Sequence, residues 1–240
     1  MRTNAYGQPV GDPVLGWQPR PRPDVQTLTG CYCRLERLDS ARHAEDLFTA
    51  DQVDADGTSW TYLPYGPFAD RTTYAAWIAQ VAAQSDPFFF AVVNTEETSP
   101  TSGRGAIGVL SLMRVQPEAG SIEVGHIHFS PALQQSRAGT EAHYLLGSYV
   151  FDQLGYRRYE WKCDALNEPS RRAADRLGFQ FEGIFRQADV VKGRNRDTAW
   201  YAIIDAEWPR VREAFRAWLA PDNFDTRGRQ LSPLQARRRQ

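Results

Sequence analysis

The 240-residue sequence predicts one mixed α/β domain, an α+β arrangement in which helices pack on a single mixed sheet. Three observations carry that expectation. Apolar-polar alternation at a period of two marks short strands, as in "SIEVGHIHF" over residues 121–129. Capped helical stretches interleave with those strands instead of following them as a block. Hydrophobic residues make up 42% and charged residues 24%, a balance that suits one substantial buried core.

The elements follow in order. Residues 1–29, which include "QPRPRPD", read as an extended Pro/Gly-rich arm, because proline fixes its own φ and restricts the residue before it. The arm either lies across the domain or reaches a partner subunit. The domain is expected over residues 30–220 and a solvated basic tail over 221–240. "CYCRLERL" is a strand, and "SARHAEDLFTAD" a helix with Ser40 as N-cap. A long aromatic loop, "VDADGTSWTYLPYGPF", leads to the helix "DRTTYAAWIAQVAAQ", capped by Asp70. "PFFFAVVN" and "AIGVLSLMRV" are strands around a Ser/Thr/Glu-rich turn at 94–105. After "SIEVGHIHF" a helix runs to about Leu154 and stops at Gly155. "RRYEWKCDA" is a strand, and "NEPSRRAADRLG" a helix capped by Asn167 and closed by Gly178. "FQFEGIFRQADVV" and "TAWYAIIDAEW" are strands around the turn "KGRNRD", and the helix "WPRVREAFRAWLA" closes the domain.

Composition removes several functional classes. A formal net charge of −1 gives no electrostatic reason for a nucleic-acid or anionic-membrane partner. No apolar run reaches the roughly 18 residues of a membrane helix, and the first residues lack the apolar stretch of a secretory signal. Cys31, Cys33 and Cys163 have no zinc-like spacing. Cys31 and Cys33 are expected on one strand face as small buried residues, and Cys163 in the core. The expectation is a soluble cytoplasmic protein without a metal, and a homodimer is an open assembly.

The stretch "SPALQQSRAGTEAHYLL", Ser130 to Leu146, joins a strand to a helix. The first N–H groups of such a helix lack internal partners and, with the positive end of its dipole, suit an anion. Ala138, Gly139 and Thr140 are small enough for close approach. Arg137 adds a cation, and Gln134, Gln135 and Ser136 add polar arms. The stretch is neither a P-loop nor a dinucleotide glycine fingerprint. An ordinary packing turn and an anion cradle both stay open at this point.

A second stretch, "DALNEPSRRAADRLGF", follows at residues 164–179. Gln134-x-x-Arg137-x-Gly139 with Thr140-Glu141-Ala142, then Asn167-x-x-Ser170, Leu-Gly-Phe at 177–179 and Glu182-Gly183, together resemble the GNAT N-acetyltransferase superfamily, in particular its RimJ/RimL-like branch of ribosomal-protein N-terminal acetyltransferases. The resemblance covers roughly residues 28–210. Arg137 stands where the family pattern has Gly. Its guanidinium either crowds a pyrophosphate or, as favoured here, folds outward to pair with a phosphate.

The resemblance implies the GNAT fold, in which two parallel strands open into a V and acetyl-CoA enters the gap along the edge of "EVGHIHF". Ile127, His128 and Phe129 would meet the thioester arm, and Gln134, Ser136, Arg137, Ala138, Gly139 and Thr140 the pyrophosphate. Asn167 would hold the pantetheine, and Ser170 would bind it and protonate the departing thiolate. For both, a plain helix-cap and first-turn role stays open. Transfer to the amine is direct, so no cysteine is a nucleophile. A strand N–H would serve the oxyanion. Asp189 is the matching position for the general base, with His126, His128, Glu123, Glu182 and a water chain as rivals. Trp60, Tyr62, Tyr65 and Trp161 would line the acceptor site, with Arg194 and Arg196 framing its other side. The expected activity is acetyl transfer from acetyl-CoA to a primary amine of a small molecule, amino acid or protein N-terminus. The alternatives are another donor such as succinyl-CoA, or a non-catalytic acyl-CoA sensor.

Overall fold

The computed structural model describes residues 2–95 and 105–236. Two short strands, β1 (Arg2–Thr3) and β2 (Pro9–Val10), pair on their own. The main sheet holds β3 (Thr27–Thr29), β4 (Cys33–Arg37), β5 (Phe88–Asn94), β6 (Gly105–Gln116), β7 (Ser121–Phe129), β8 (Arg158–Asp164), β9 (Gln180–Val191) and β10 (Arg194–Ile204). Their order is β3-β4-β5-β6-β7-β8-β10-β9. Neighbours are antiparallel except β7 and β8, which run parallel. A parallel pair needs a crossover, and helix α3 (Arg137–Ser148) supplies it, extended by a wide turn over Tyr149–Gln153 and ended by Gly155 at φ 69°.

Helices cover both faces, which explains the unbroken apolar run in β5. Phe88, Phe90 and Val92 share a core with α3 and with α5 (Trp208–Leu219). Phe89 and Ala91 share another with α1 (Ser40–Asp51) and α2 (Arg71–Ala82). Helix α4 (Glu168–Arg176) follows β8, capped by Asn167 as expected. No helix among the described residues is long and apolar enough to cross a membrane.

Several expectations are corrected. Asp39 caps α1, accepting from the Arg42 N–H at 2.9 Å, and Ser40 lies inside the helix with its hydroxyl on Ala75 O. Cys31 does not share a strand face with Cys33. The amides of Cys31, Tyr32 and Cys33 turn onto the Glu141 carboxylate at 2.6–2.8 Å, so β4 starts at Cys33 and Cys31 is exposed. The arm lies across the domain: Trp17 donates to Glu118 O at 2.9 Å, Tyr149 Oη accepts from Asp24 N–H at 3.0 Å, and Thr27–Thr29 joins the sheet. Past residue 221 the chain packs back, burying Leu234 and Ala236; Arg237–Gln240 lie outside the described residues. Most of the expected 94–105 turn, residues 96–104, also lies outside them. The six-residue turn "KGRNRD" contracts to Lys192-Gly193, both left-handed at φ 50° and 73°, as a two-residue hairpin requires.

Candidate active site

β7 and β8 pair from Ser121↔Arg158 to Val124↔Trp161 and no further, although β7 continues to Phe129 and β8 to Asp164. Beyond Val124 the two strands part, and the β8-facing edge of residues 125–129 loses its ladder partner. A bulge marks the same place: His126 has φ 50°, and the β6–β7 register shifts between Val109↔His128 and Ser111↔Gly125. At Gly125 the Met113 side chain packs against the strand, its Sδ 2.3 Å from where a Cβ would stand, so a larger residue there displaces it.

At the end of β7 the chain turns into α3. Gln135 is left-handed at φ 56°, and Ser136 caps the helix, accepting from Gly139 N–H at 2.9 Å. A Cβ on Gly139 would stand 2.6 Å from Leu133 O, so the small residue expected here is enforced by backbone proximity. Gln134 Nε2 donates to Phe129 O at 2.9 Å. The Arg137 guanidinium lies over the rings of Tyr32 and Phe224, at 4.7 and 5.0 Å, so its side chain folds outward rather than over the turn. That leaves a helix N-terminus of small buried residues Ala138, Gly139 and Thr140, suited to an anion.

Across the gap, Asn167 accepts from Ser170 N–H at 3.2 Å. Ser170 Oγ accepts from Trp161 Nε1 at 3.0 Å and faces the Cys163 sulfur. Because the indole supplies that donor, the Ser170 hydroxyl proton is directed at the Cys163 sulfur. Burial pushes the Cys163 thiol up, so it stays protonated and inert.

His126 and His128 lie on one side of the sheet, as their alternation predicted, and the aromatic loop packs on that side. Trp60 is buried and stacks on His128 at a centroid distance of 3.6 Å. His128 Nε2 lies 2.8 Å from Ser59 Oγ, which donates to Asp54 at 2.5 Å, and His128 Nδ1 faces Asp51 at 3.6 Å. Both His128 nitrogens are thus engaged. His126 meets Tyr65 Oη at 3.1 Å through Nδ1, and Nε2 is left for another partner among the described residues. Burial lowers both imidazoles to about 4, so both are neutral near pH 7. The Asp51 carboxyl, also buried, rises to about 7.

The loop is both packed down and a wall. Tyr65 and Phe68 pack on Trp60, while Tyr62 reaches across to Leu166 O at 3.3 Å. Lys192 Nζ clasps the loop through Trp60 O and Gly66 O, and Arg194 through Thr61 O at 2.8 Å. Arg196 turns instead to Thr198.

The remaining candidates for a base are differently placed. Glu123 is buried and neutralised by Arg114 and Lys162 at 2.8 and 2.9 Å. Glu182 pairs with Arg158. Asp189 sits exposed on β9, separated from β7 by β8 and β10, and accepts from the Val190 N–H at 2.7 Å. The structure therefore gathers His126, His128 and Ser170 around the gap, and Asp189 is not among them. It adds Asp51, at the end of α1, and Asp54 and Ser59, whose stretch "DADGTS" has the composition of a plain turn. Among the described residues no cluster of His, Cys, Asp and Glu is arranged to hold a metal ion.

Comparison with known proteins agrees with this geometry. Residues 33–180 match the family model described as the acetyltransferase (GNAT) domain. A solved GCN5-related N-acetyltransferase from Brucella melitensis is 46% identical, with a TM-score of 0.88 over 92% of this chain and 98% of that one. The uncharacterized N-acetyltransferase p20 of Bacillus licheniformis is 26% identical over 173 residues, 68% of this chain and 90% of the relative.

Proposed function

From the premise that the chain belongs to the GNAT family of acetyltransferases, we propose that it transfers acetyl from acetyl-CoA directly to a primary amine, in the manner of the RimJ/RimL-like branch. The acceptor is a small molecule, an amino acid or a protein N-terminus. The parting of β7 from β8 above Val124↔Trp161, beside the small-residue start of α3, is the observation that carries this reading.

The residues present fit the cosubstrate, because the parted edge of β7 ends at the capped N-terminus of α3, whose first residues are small. Ile127, His128 and Phe129 offer main-chain groups to the pantetheine amides, with Asn167 opposite. Gln134, Ser136, Ala138, Gly139 and Thr140, with the main chain of Arg137, hold the diphosphate, while the Arg137 guanidinium rests on Tyr32 and Phe224. When bound, acetyl-CoA supplies the activated thioester. A freed amide at the β7 bulge polarises its carbonyl. His126, with Nε2 open and Tyr65 fixing Nδ1, removes the amine proton directly or through one water. Ser170 returns a proton to the thiolate. Trp161 acts through Ser170 as a positioning residue, and Trp60, Tyr62 and Tyr65 wall the acceptor. Three free thiols suit a reducing, cytoplasmic setting.

A second reading, an acyl-CoA sensor without turnover, is favoured by the weak basicity of both imidazoles. Titration calorimetry with CoA and a thiol-release assay over an amine panel separate the two. Expected are CoA binding and thiol release with at least one amine class. His126→Gln lowers kcat by about 100-fold, the usual weight of a general base. Ser170→Ala lowers kcat with little change in cosubstrate affinity, and Asp189→Asn stays near wild type. Loss of activity in Asp189→Asn but not in His126→Gln returns the base to Asp189. Tight CoA binding without thiol release for any amine selects the sensor.

A further inference from the structure

The last rung that joins β7 to β8 is Val124↔Trp161, and the next residue of β8 is Lys162. Consecutive strand residues point to opposite faces. Trp161 packs on the helix side against His143 and Phe179, while Lys162 rises on the other face, its Nζ 3.7 Å from the centroid of the Trp200 ring. There Lys162 Nζ reaches across the fork to Glu123 of β7 at 2.9 Å, and along its own strand to Glu160 at 2.8 Å. The Lys162 side chain is 7% exposed and that of Glu123 3%. An ion pair thus takes over where the ladder stops.

The pair belongs to a row of alternating charge. Arg114 of β6 holds both Glu123 oxygens at 2.8 Å, and Arg158 holds Glu160 at 2.6 Å and Glu182 of β9. Such a buried pair adds little net stability, because desolvation offsets the attraction, but its hydrogen-bond length fixes the distance between the strands it joins. Lys162 directs its donors at two carboxylates and an indole face, so it offers neither a proton nor an unneutralised charge to a ligand in the gap.

The inference rests on the reading that acyl-CoA enters this gap. With the diphosphate at the start of α3 and the pantetheine along residues 127–129, the acyl group falls at the bulge, beside the fork. We propose that Lys162, held on Glu123, sets the depth of the acyl pocket at the fork of β7 and β8 and so confines the donor to a short, uncharged acyl chain. It is a positioning residue, acting through the two strands.

Calorimetry on the full chain, without amine, compares acetyl-CoA, butyryl-CoA and succinyl-CoA. Wild type is expected to bind acetyl-CoA about tenfold or more tighter than either longer chain, the usual weight of extra methylenes in a closed pocket. Lys162→Met leaves Glu123 on Arg114 and Glu160 on Arg158, so neither carboxylate is stranded, and unliganded Tm checks that it folds. In this variant butyryl-CoA comes within about threefold of acetyl-CoA, and Lys162→Arg restores the wild-type ratio. Hydrogen exchange of the unliganded protein is faster in Lys162→Met over residues 121–129 and 158–164. In thiol-release assays with the fastest amine, KM for acetyl-CoA changes while kcat stays within about threefold, since no proton passes through Lys162. Equal affinity of wild type for acetyl-CoA and butyryl-CoA overturns the proposal without any variant. An unchanged ratio in Lys162→Met overturns it too, as does a fall in kcat at constant KM, which assigns Lys162 to the chemistry. A preference for succinyl-CoA that Lys162→Met abolishes makes Lys162 a ligand for a donor carboxylate and has the same effect. A wild type that binds no acyl-CoA removes the earlier reading and this inference with it; acetyl-CoA binding that is indifferent to Lys162 removes this inference alone.

Discussion

Gly139 and Glu141 sit two residues apart in the first turns of α3, and each is fixed by backbone rather than by a side-chain neighbour. A Cβ at 139 would stand 2.6 Å from Leu133 O within the capping turn. Gly139→Ala must therefore shift the turn, and CoA affinity measured by calorimetry is expected to fall by about tenfold, with about 1–3 kcal/mol lost from stability. Glu141, buried, takes three amides of residues 31–33. Leaving a buried donor unpaired costs about 1–3 kcal/mol, so Glu141→Leu should destabilise by about 3 kcal/mol or more in urea unfolding. The resemblance made both residues part of a motif, and only the fold gives Glu141 its work, tying α3 to the start of β4. Ser170, Asn167 and His128 were also visible as residue types in the right order. Which nitrogen of His126 or His128 is open was not visible, because Tyr65, Ser59 and Asp51 come from elements far away in the chain.

The hairpin β9–β10 carries the clearest prediction among the elements. Its Lys192-Gly193 turn needs positive φ at both positions, and the Lys192 ammonium holds the aromatic loop through two carbonyls. Gly193→Val forces a β-branched residue to φ near 73°, which costs about 1–2 kcal/mol and displaces the clasp. Faster limited proteolysis within residues 52–70 than in wild type is the expected outcome, and an unchanged cleavage rate refutes the clasp. Alternation found both strands, but Arg194, Asn195 and Arg196 looked like loop because an exposed strand has no apolar face to betray it. The cap of α1 shifted by one residue for a similar local reason, two adjacent cap-forming residues in "DS".

Across the whole molecule, buried histidines set the response to acid. Burial lowers His126 and His128 to about 4 and His143 to about 3, against about 6.5 in the unfolded chain. Between these values the unfolded state binds more protons, so stability is full above pH 6.5 and falls as pH drops toward 4. Asp51 opposes this, since its raised value of about 7 lets the folded state hold the extra proton over the same window. Three imidazoles outweigh one carboxyl, and Tm is expected to fall on acidification from pH 7 to 5. His143 sits between Phe129 and Trp161, and His143→Phe should flatten that slope; a slope that stays as steep removes His143 from the account. The chain by itself determined the order of strands and helices, the small-residue turn before α3 and the polar chemistry beyond β8, because these rest on periodicity and on neighbours within a few residues. Only the tertiary structure decided that β7 and β8 part after Val124, that β10 separates Asp189 from the gap, and that Lys162 crosses to Glu123 at the fork. Strand register, sheet order and enclosed space arise from contacts between distant segments, and those leave no periodic trace in the sequence.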